Sequence, residues 1–246
     1  MKIKILSIAL LWVSINNLSA QSVAYSVKGG LTAANQRFDG GGTYNNSLLF
    51  KYHGALSIEN APDDPTSVLF AQIGYHTRGH ARRYQRGIIP NYQTGQLQEV
   101  SGFKEEFVFN NLALIVGVKR RGVLNTPNAY YAIGLRAEYT ISNNLPGDNA
   151  NFPSNYSLYY PTKDFVKKFN YGLSLSGGYE FPFSELISGF IEFSVHPDVS
   201  RQYFQPAITI NSSNSPTNTI PEQSIRNLTF ELTLGFRFLR KVIYVD

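Results

Sequence analysis

The sequence predicts an all-β fold, an eight-stranded antiparallel up-and-down transmembrane β-barrel. Three observations lead there. Eight segments alternate apolar and polar residues with period two. The apolar set carries no charge, while the opposite set is crowded with Gly, Ala and Ser. The links between segments alternate long and short, as the loops of outer-membrane barrels do.

The chain of 246 residues opens on a basic head, Met1-Lys2-Ile3-Lys4, followed by an apolar run from Ile5 to Val13 and the small-residue ending Leu18-Ser19-Ala20. This order reads as a secretory signal peptide over residues 1–20, leaving a barrel domain over residues 21–246. The apolar run is too short for a membrane helix, which needs roughly 20 residues, and no longer run follows.

The segments come in order. The first sets Val23, Tyr25, Val27 and Leu31 against Ser26, Lys28, Gly30 and Thr32. The second sets Leu48, Phe50, Tyr52, Leu56 and Ile58 against Lys51, His53, Ala55, Ser57 and Glu59. In the third, Leu69, Ala71, Ile73 and Tyr75 oppose Gln72, Gly74, His76, Arg78 and His80. The fourth carries Leu112, Leu114, Val116 and Val118 on one parity, and the fifth Tyr131, Ile133, Leu135, Tyr139 and Ile141 against Arg136 and Glu138. Tyr171 to Phe181 oppose Ser174, Ser176 and Glu180 in the sixth. Ile191, Phe193 and Val195 oppose Glu192, Ser194 and His196 in the seventh. The eighth is the most regular, with Leu228, Phe230, Leu232, Leu234, Phe236 and Phe238 facing away from Glu231 and Arg237. Residues 39–46, 83–102, 142–168 and 197–224 make the longer links; 60–65, 121–128 and 182–185 make the shorter ones.

A soluble periplasmic sandwich or lipocalin-like barrel would share the alternation. Against it stand the charge-free apolar parity, with Tyr and Phe near the segment ends, and the small residues of the polar parity, which suit a narrow filled barrel interior. Composition agrees: 16% charged, 14% aromatic and 20 Gly. The absence of Cys excludes disulfides, thiolate metal sites and an N-terminal cysteine lipid anchor. The formal net charge of +5 includes Lys2 and Lys4, and no basic run exceeds Lys119-Arg120-Arg121. Nucleic acid is therefore not an expected partner, whereas outer-membrane lipids and lipopolysaccharide are.

Val27-Lys28-Gly29-Gly30-Leu31, the stretch from Ala132 to Tyr139, Phe169-Asn170-Tyr171-Gly172 and the ending from Asn227 to Arg240 resemble the outer-membrane β-barrel proteins of the Bacteroidota, the PorT-like or porin family group. The resemblance implies an eight-stranded barrel without a single shared function. One member type is tied to a secretion apparatus, which makes an envelope or secretion protein an expected partner.

The inward parity supplies the candidate functional residues. Lys28, Lys51, Arg78, Arg136 and Arg237 face Glu59, Glu138, Glu180, Glu192 and Glu231. Such a set either lines a narrow pore or neutralises itself as a plug, and eight strands favour the plug. His53, His76, His80 and His196 share this parity, either as a metal or proton-handling cluster or as polar aromatics filling the interior. They lack a close-spaced ligand pair, so neither metal nor cofactor is expected. Glu192, Ser194 and His196 sit on one face of one strand, a weak candidate for lipid acyl transfer or hydrolysis because same-face neighbours lie about 6.5–7 Å apart. On the outer links, Arg82, Arg83 and Arg86 suit lipopolysaccharide phosphates or a solvated rim. Tyr156, Tyr159, Tyr160, Tyr203 and Phe204 either fold the loops onto the rim or form a recognition patch. The expected role is a non-enzymatic structural or binding barrel of the envelope.

Overall fold

The computed structural model describes residues 22–39, 46–61, 66–84, 87–90, 97–100, 103–123, 126–146, 161–212 and 215–240. The leader expected over residues 1–20 lies outside the described residues, as do Arg86, Tyr156, Tyr159 and Tyr160.

Eight long strands make the ring: β1 (Val23–Asp39), β2 (Leu49–Asn60), β3 (Ser67–Tyr84), β4 (Phe103–Val123), β5 (Thr126–Asn143), β6 (Phe169–Pro182), β7 (Ile187–Pro197) and β8 (Gln223–Arg240). Each pairs antiparallel with its sequence neighbour. The ring closes where β1 meets β8, from Val23↔Arg240 to Asp39↔Ser224. Closure leaves no long edge whose backbone groups would be orphaned in hydrocarbon.

Outward positions are apolar and uncovered: Tyr52 is 74% exposed, Leu135 72% and Leu234 64%. In water such a surface would drive association; in a bilayer it is the required face. On β8 this charge-free belt runs from Leu228 to Phe238, about 33 Å of strand, or about 25 Å of height at a tilt of about 40°. Charged residues begin beyond it, with Arg120 and Arg240 at the turn end and Arg37, Lys104, Glu106 and Arg226 at the other. Strands of 11 to 21 residues exceed or match the 9–11 needed to cross. β1, β3, β4 and β8 consequently project past the belt on the side of the long links.

Those links contain more order than their composition suggests. Gly87–Pro90 pairs with Leu97–Val100, and Ile208–Ser212 with Ser215–Ile220. Tyr203–Gln205 adds a short strand to the top of β8. The ladder between β2 and β3 is the shortest in the ring, spanning only Gly54↔Tyr75 to Glu59↔Phe70 before pairing resumes at Asn46–Ser47 with Arg82 and Ala81. Gly79, with φ +140°, lies in the intervening stretch. A Cβ there would run into the Phe107 carbonyl and come within 3.0 Å of Leu49 Cδ2, so only glycine lets the buried Leu49 fill this seam.

Candidate functional site

The inward parities of the eight strands meet in the lumen, and their charges sort into storeys. Nearest the short turns, Glu59 accepts from Arg121 Nη2 and Arg237 Nε, both at 3.0 Å. Glu180 accepts from Lys119 Nζ at 2.6 Å and Arg121 Nη2 at 3.2 Å. Three cations thus face two carboxylates, with side chains 4–13% exposed. Above them Lys28 Nζ meets Glu192 Oε1 at 2.6 Å, and the Tyr130 hydroxyl donates to Glu192 Oε2 at 2.9 Å. Gly178 makes room for that phenol, because a Cβ at this position would sit against the Tyr130 ring.

The next storey is sealed. Arg78 Nη2 donates to Glu138 Oε1 at 2.6 Å and Arg78 Nη1 to Glu231 Oε1 at 3.0 Å. Arg136 Nε stands 3.0 Å from Glu138, and its Nη2 bonds Asp198, which Asn227 also holds at 2.7 Å. Asn111 donates to the second Glu138 oxygen at 2.8 Å. Arg78, Arg136, Glu138 and Asp198 side chains are fully buried. Around Glu231 stand His76 at 2.8 Å and His196 at 3.1 Å, with His53 at 3.8 Å. The His53 and His76 rings stack at 5.5 Å. His53 is also bonded to Thr32 and Thr233. One carboxylate therefore gathers three imidazoles from three strands.

An apolar cap closes the outer mouth: Phe107, Phe109, Leu145, Tyr203 and Ile225, flanked by Phe38, Phe165 and Val166. Backbone bonds dock the loop chain here, Gln202 N to Ile225 O at 2.8 Å and Lys167 N to Gln202 O at 2.9 Å. Burial pushes the Tyr203 phenol up to about 12, so it stays a neutral donor to Gln205 Oε1 at 2.7 Å. His80 stacks on Phe107 at 4.6 Å, apart from the other three histidines. The space between Glu59, Lys119 and Glu192 on one side and His53, His196 and Glu231 on the other is a cavity of about 30 Å³, enough for roughly two waters.

The expected residues fall as follows. Lys28, His53, His76, Arg78, Arg136, Glu138, Glu180, Glu192, Glu231 and Arg237 all lie in the lumen and are brought into contact. Lys51 does not join them; its amine meets Glu106 Oε2 at 2.7 Å, above the level where β2 and β3 stop pairing. Ser194 donates to Glu192 at 3.4 Å, while His196 Nε2 is engaged by Glu231 and its Nδ1 makes no hydrogen bond. Ser194 and His196 are therefore not a nucleophile–base pair, which requires a contact of about 2.6–3.2 Å. Arg82 is buried, its guanidinium 4.7 Å from the Phe107 ring centroid, and Tyr203 is buried in the cap. Phe204 stays half-buried, with Arg201 stacked on it at 4.8 Å. Arg83 belongs to β3. Among the described residues no group of three or more His, Asp or Glu is placed to hold a metal ion.

Lys119, Arg121 and Asp198 complete the network and escaped sequence reasoning. The signal was present: the inward parity of β4 continues past Gly117 to 119 and 121, and that of β7 continues past His196 to 198. Pro197 reads as a strand end and hides the last step.

A family model described as outer membrane protein beta-barrel domain matches residues 19–200. No curated protein sequence matches the chain significantly. Among solved structures, the chain is similar to Ail, the attachment invasion locus protein of Yersinia pestis, crystallised with the heparin analogue sucrose octasulfate: 10% identity, TM-score 0.37, covering 88% of this chain and 99% of that one. It is similar also to the outer membrane protease OmpT of Escherichia coli, with 9% identity, TM-score 0.39 and coverage of 89% and 97%. Both are distant likenesses beside the strand pairing described above.

Proposed function

Because the chain belongs to the outer membrane protein beta-barrel domain family, we propose that it serves as a closed, non-enzymatic barrel whose contacts are made at its outer end. The reading rests on one observation above all, the buried Arg78–Glu138–Glu231 lattice that crosses the lumen beneath an apolar cap. A conducting pore needs continuous water along its axis, and this interior offers ion pairs and side-chain packing instead. An acyl-transfer enzyme needs an activated nucleophile, and the partners of Ser194 and His196 are carboxylates already committed elsewhere. Structured outer hairpins and projecting strands supply surface for an envelope or secretion partner. Export through the leader at residues 1–20 and contact with outer-leaflet lipopolysaccharide belong to the same reading.

Planar-bilayer recording of the purified barrel tests it, with silence expected at all voltages. Stable unitary currents from the wild-type protein would sink the closed-barrel reading. Mass spectrometry of lipid A from cells with and without the protein tests the enzymatic alternative, with unchanged acylation expected.

A further inference from the structure

Just beyond the outer end of the belt, Arg37 on β1 and Arg226 on β8 are direct cross-strand partners. Both follow the outward parity, one step of two residues past the pair Asn35↔Leu228, where the apolar surface stops. Like charges placed directly opposite destabilise a strand pair in water. Compensation from within the protein is small. Arg37 reaches only Asp39, through its Nε at 3.2 Å, with a side chain 80% exposed. Such exposed pairs contribute little. Arg226 makes no hydrogen bond or ion pair among the described residues, and its Nε is shielded from solvent without a partner. A buried guanidinium donor left open costs free energy unless an acceptor completes it.

The surroundings repeat the sign. The short strand Tyr203–Gln205 lies on the other side of β8 and carries Phe204, with Arg201 stacked on the ring at 4.8 Å and Lys167 at 5.7 Å. Asp39 and Glu222 are paired with Arg37 and Arg201, and Asp164 lies near Tyr203. Arg37, Arg226, Arg201 and Lys167 together still outnumber these acids. At the opposite end of the belt, Arg120 and Arg240 lie on strands β4 and β8, which are not neighbours, and form no such pair.

We propose that Arg37 and Arg226 form a two-guanidinium clamp for the phosphate of an outer-leaflet glycolipid, the phosphorylated lipid A of lipopolysaccharide. Planar forks carried on directly paired positions of neighbouring strands can share the oxygens of one phosphate, and the headgroup level of the outer leaflet is where such phosphates lie. The clamp takes over the role expected of Arg82, whose guanidinium is packed against Phe107. It rests on the membrane placement argued above, and on no feature of the lumen.

The test uses the full-length barrel in detergent, with native mass spectrometry reading bound lipid during titration with bisphosphoryl lipid A. Expected are a saturable one-to-one adduct and at least a ten-fold weaker one for the double variant Arg37→Gln, Arg226→Gln. Arg226→Lys, which keeps the charge but loses the fork, should fall between, and Arg120→Gln should match wild type. Dephosphorylated lipid A should bind wild type and double variant equally weakly, and millimolar inorganic phosphate should not displace the lipid. Equal adducts for wild type and double variant, indifference to removal of the lipid phosphates, or displacement by free phosphate would each overturn the clamp. Heat-modifiable gel mobility is read on every variant. Its loss in wild type would count against the barrel itself, whereas its retention with loss of the adduct isolates the clamp.

Discussion

The storey of the lumen nearest the short turns sets Lys119, Arg121 and Arg237 against Glu59 and Glu180, whereas the sealed storey sets Arg78 and Arg136 against Glu138, Glu231 and Asp198. The first has a cation in excess and side chains 11–13% exposed on its cationic members. The second has a carboxylate in excess and almost no exposure, and it recruits His53, His76 and His196 around Glu231. Solvent reaches the lower storey and screens its surplus charge. The upper one is almost closed to bulk solvent, so its carboxylate oxygens find their donors within the protein, and imidazoles and amides join the guanidiniums in supplying them. Burial, more than charge count, decides how completely a storey must be satisfied.

The largest effect should come from breaking the sealed storey with one cut. Arg78→Leu leaves the buried Glu138 and Glu231 without the cation they share, at a cost of about 3–5 kcal/mol. The urea midpoint of the heat-modifiable folded band in lipid vesicles should drop accordingly. If the variant unfolds at the wild-type midpoint, the lattice does not carry the closure assigned to it. Next in size is Gly172→Ala, whose methyl would come within 2.9 Å of Arg136 Nη2 and press on the Pro197 carbonyl. Displacing Arg136 from Asp198 should cost about 1–3 kcal/mol, the range for overpacking. The same assay reads it, and Gly177→Ala, where the nearest atom is 3.7 Å away, serves as the tolerant neighbour.

Arg237→Leu sharpens the comparison from the other side. It removes the surplus cation of the lower storey, and Glu59 keeps Arg121 at 3.0 Å and Lys119 at 3.7 Å. A loss of about 1 kcal/mol or less is expected, since the group is partly solvated and its partner retains two cations. A loss as large as that of Arg78→Leu would erase the distinction between the storeys.

How much of this was legible in the sequence follows from the same contrast. Period-two alternation depends on the backbone pleat alone, so the parity that placed Lys28, Arg136, Glu138 and Glu231 inward needed no tertiary knowledge. Height in the lumen is a tertiary quantity, set by strand tilt and stagger. That is why alternation alone does not show that His53 and His196 converge on Glu231 with His76. Lys51, also on the inward parity, ends beside Glu106 because the pairing of β2 with β3 stops at Gly54, a break in the ladder that alternation along β2 does not reveal. The cap residues Leu145 and Tyr203 lie in links, where no periodicity exists to be read. The Arg37–Arg226 pair was equally hidden, because cross-strand register between the first and last strands is fixed only when the ring closes.

The smallest effect belongs to the outer rim. Glu106 stands beyond the membrane belt, which covers only Leu112 to Val118 on β4, and it accepts from Lys104 at 2.6 Å and Lys51 at 2.7 Å. Those two ammonium groups hold its carboxyl below the ordinary value of 4.5. A depressed folded pKa contributes stability that is present above that ordinary value and is lost as pH falls through the lower one, so the acid-sensitive window lies below 4.5. Hydrogen exchange at the amides of Leu49 to Lys51 should accelerate across that window, while the sealed storey holds. Glu106→Gln should show the faster exchange already at neutral pH and lose the acid step. Unchanged exchange in that variant would mean that Leu49, buried against Gly79, pins the top of β2 without help from the clip. In that case packing outweighs charge at the rim, the reverse of the order in the sealed storey.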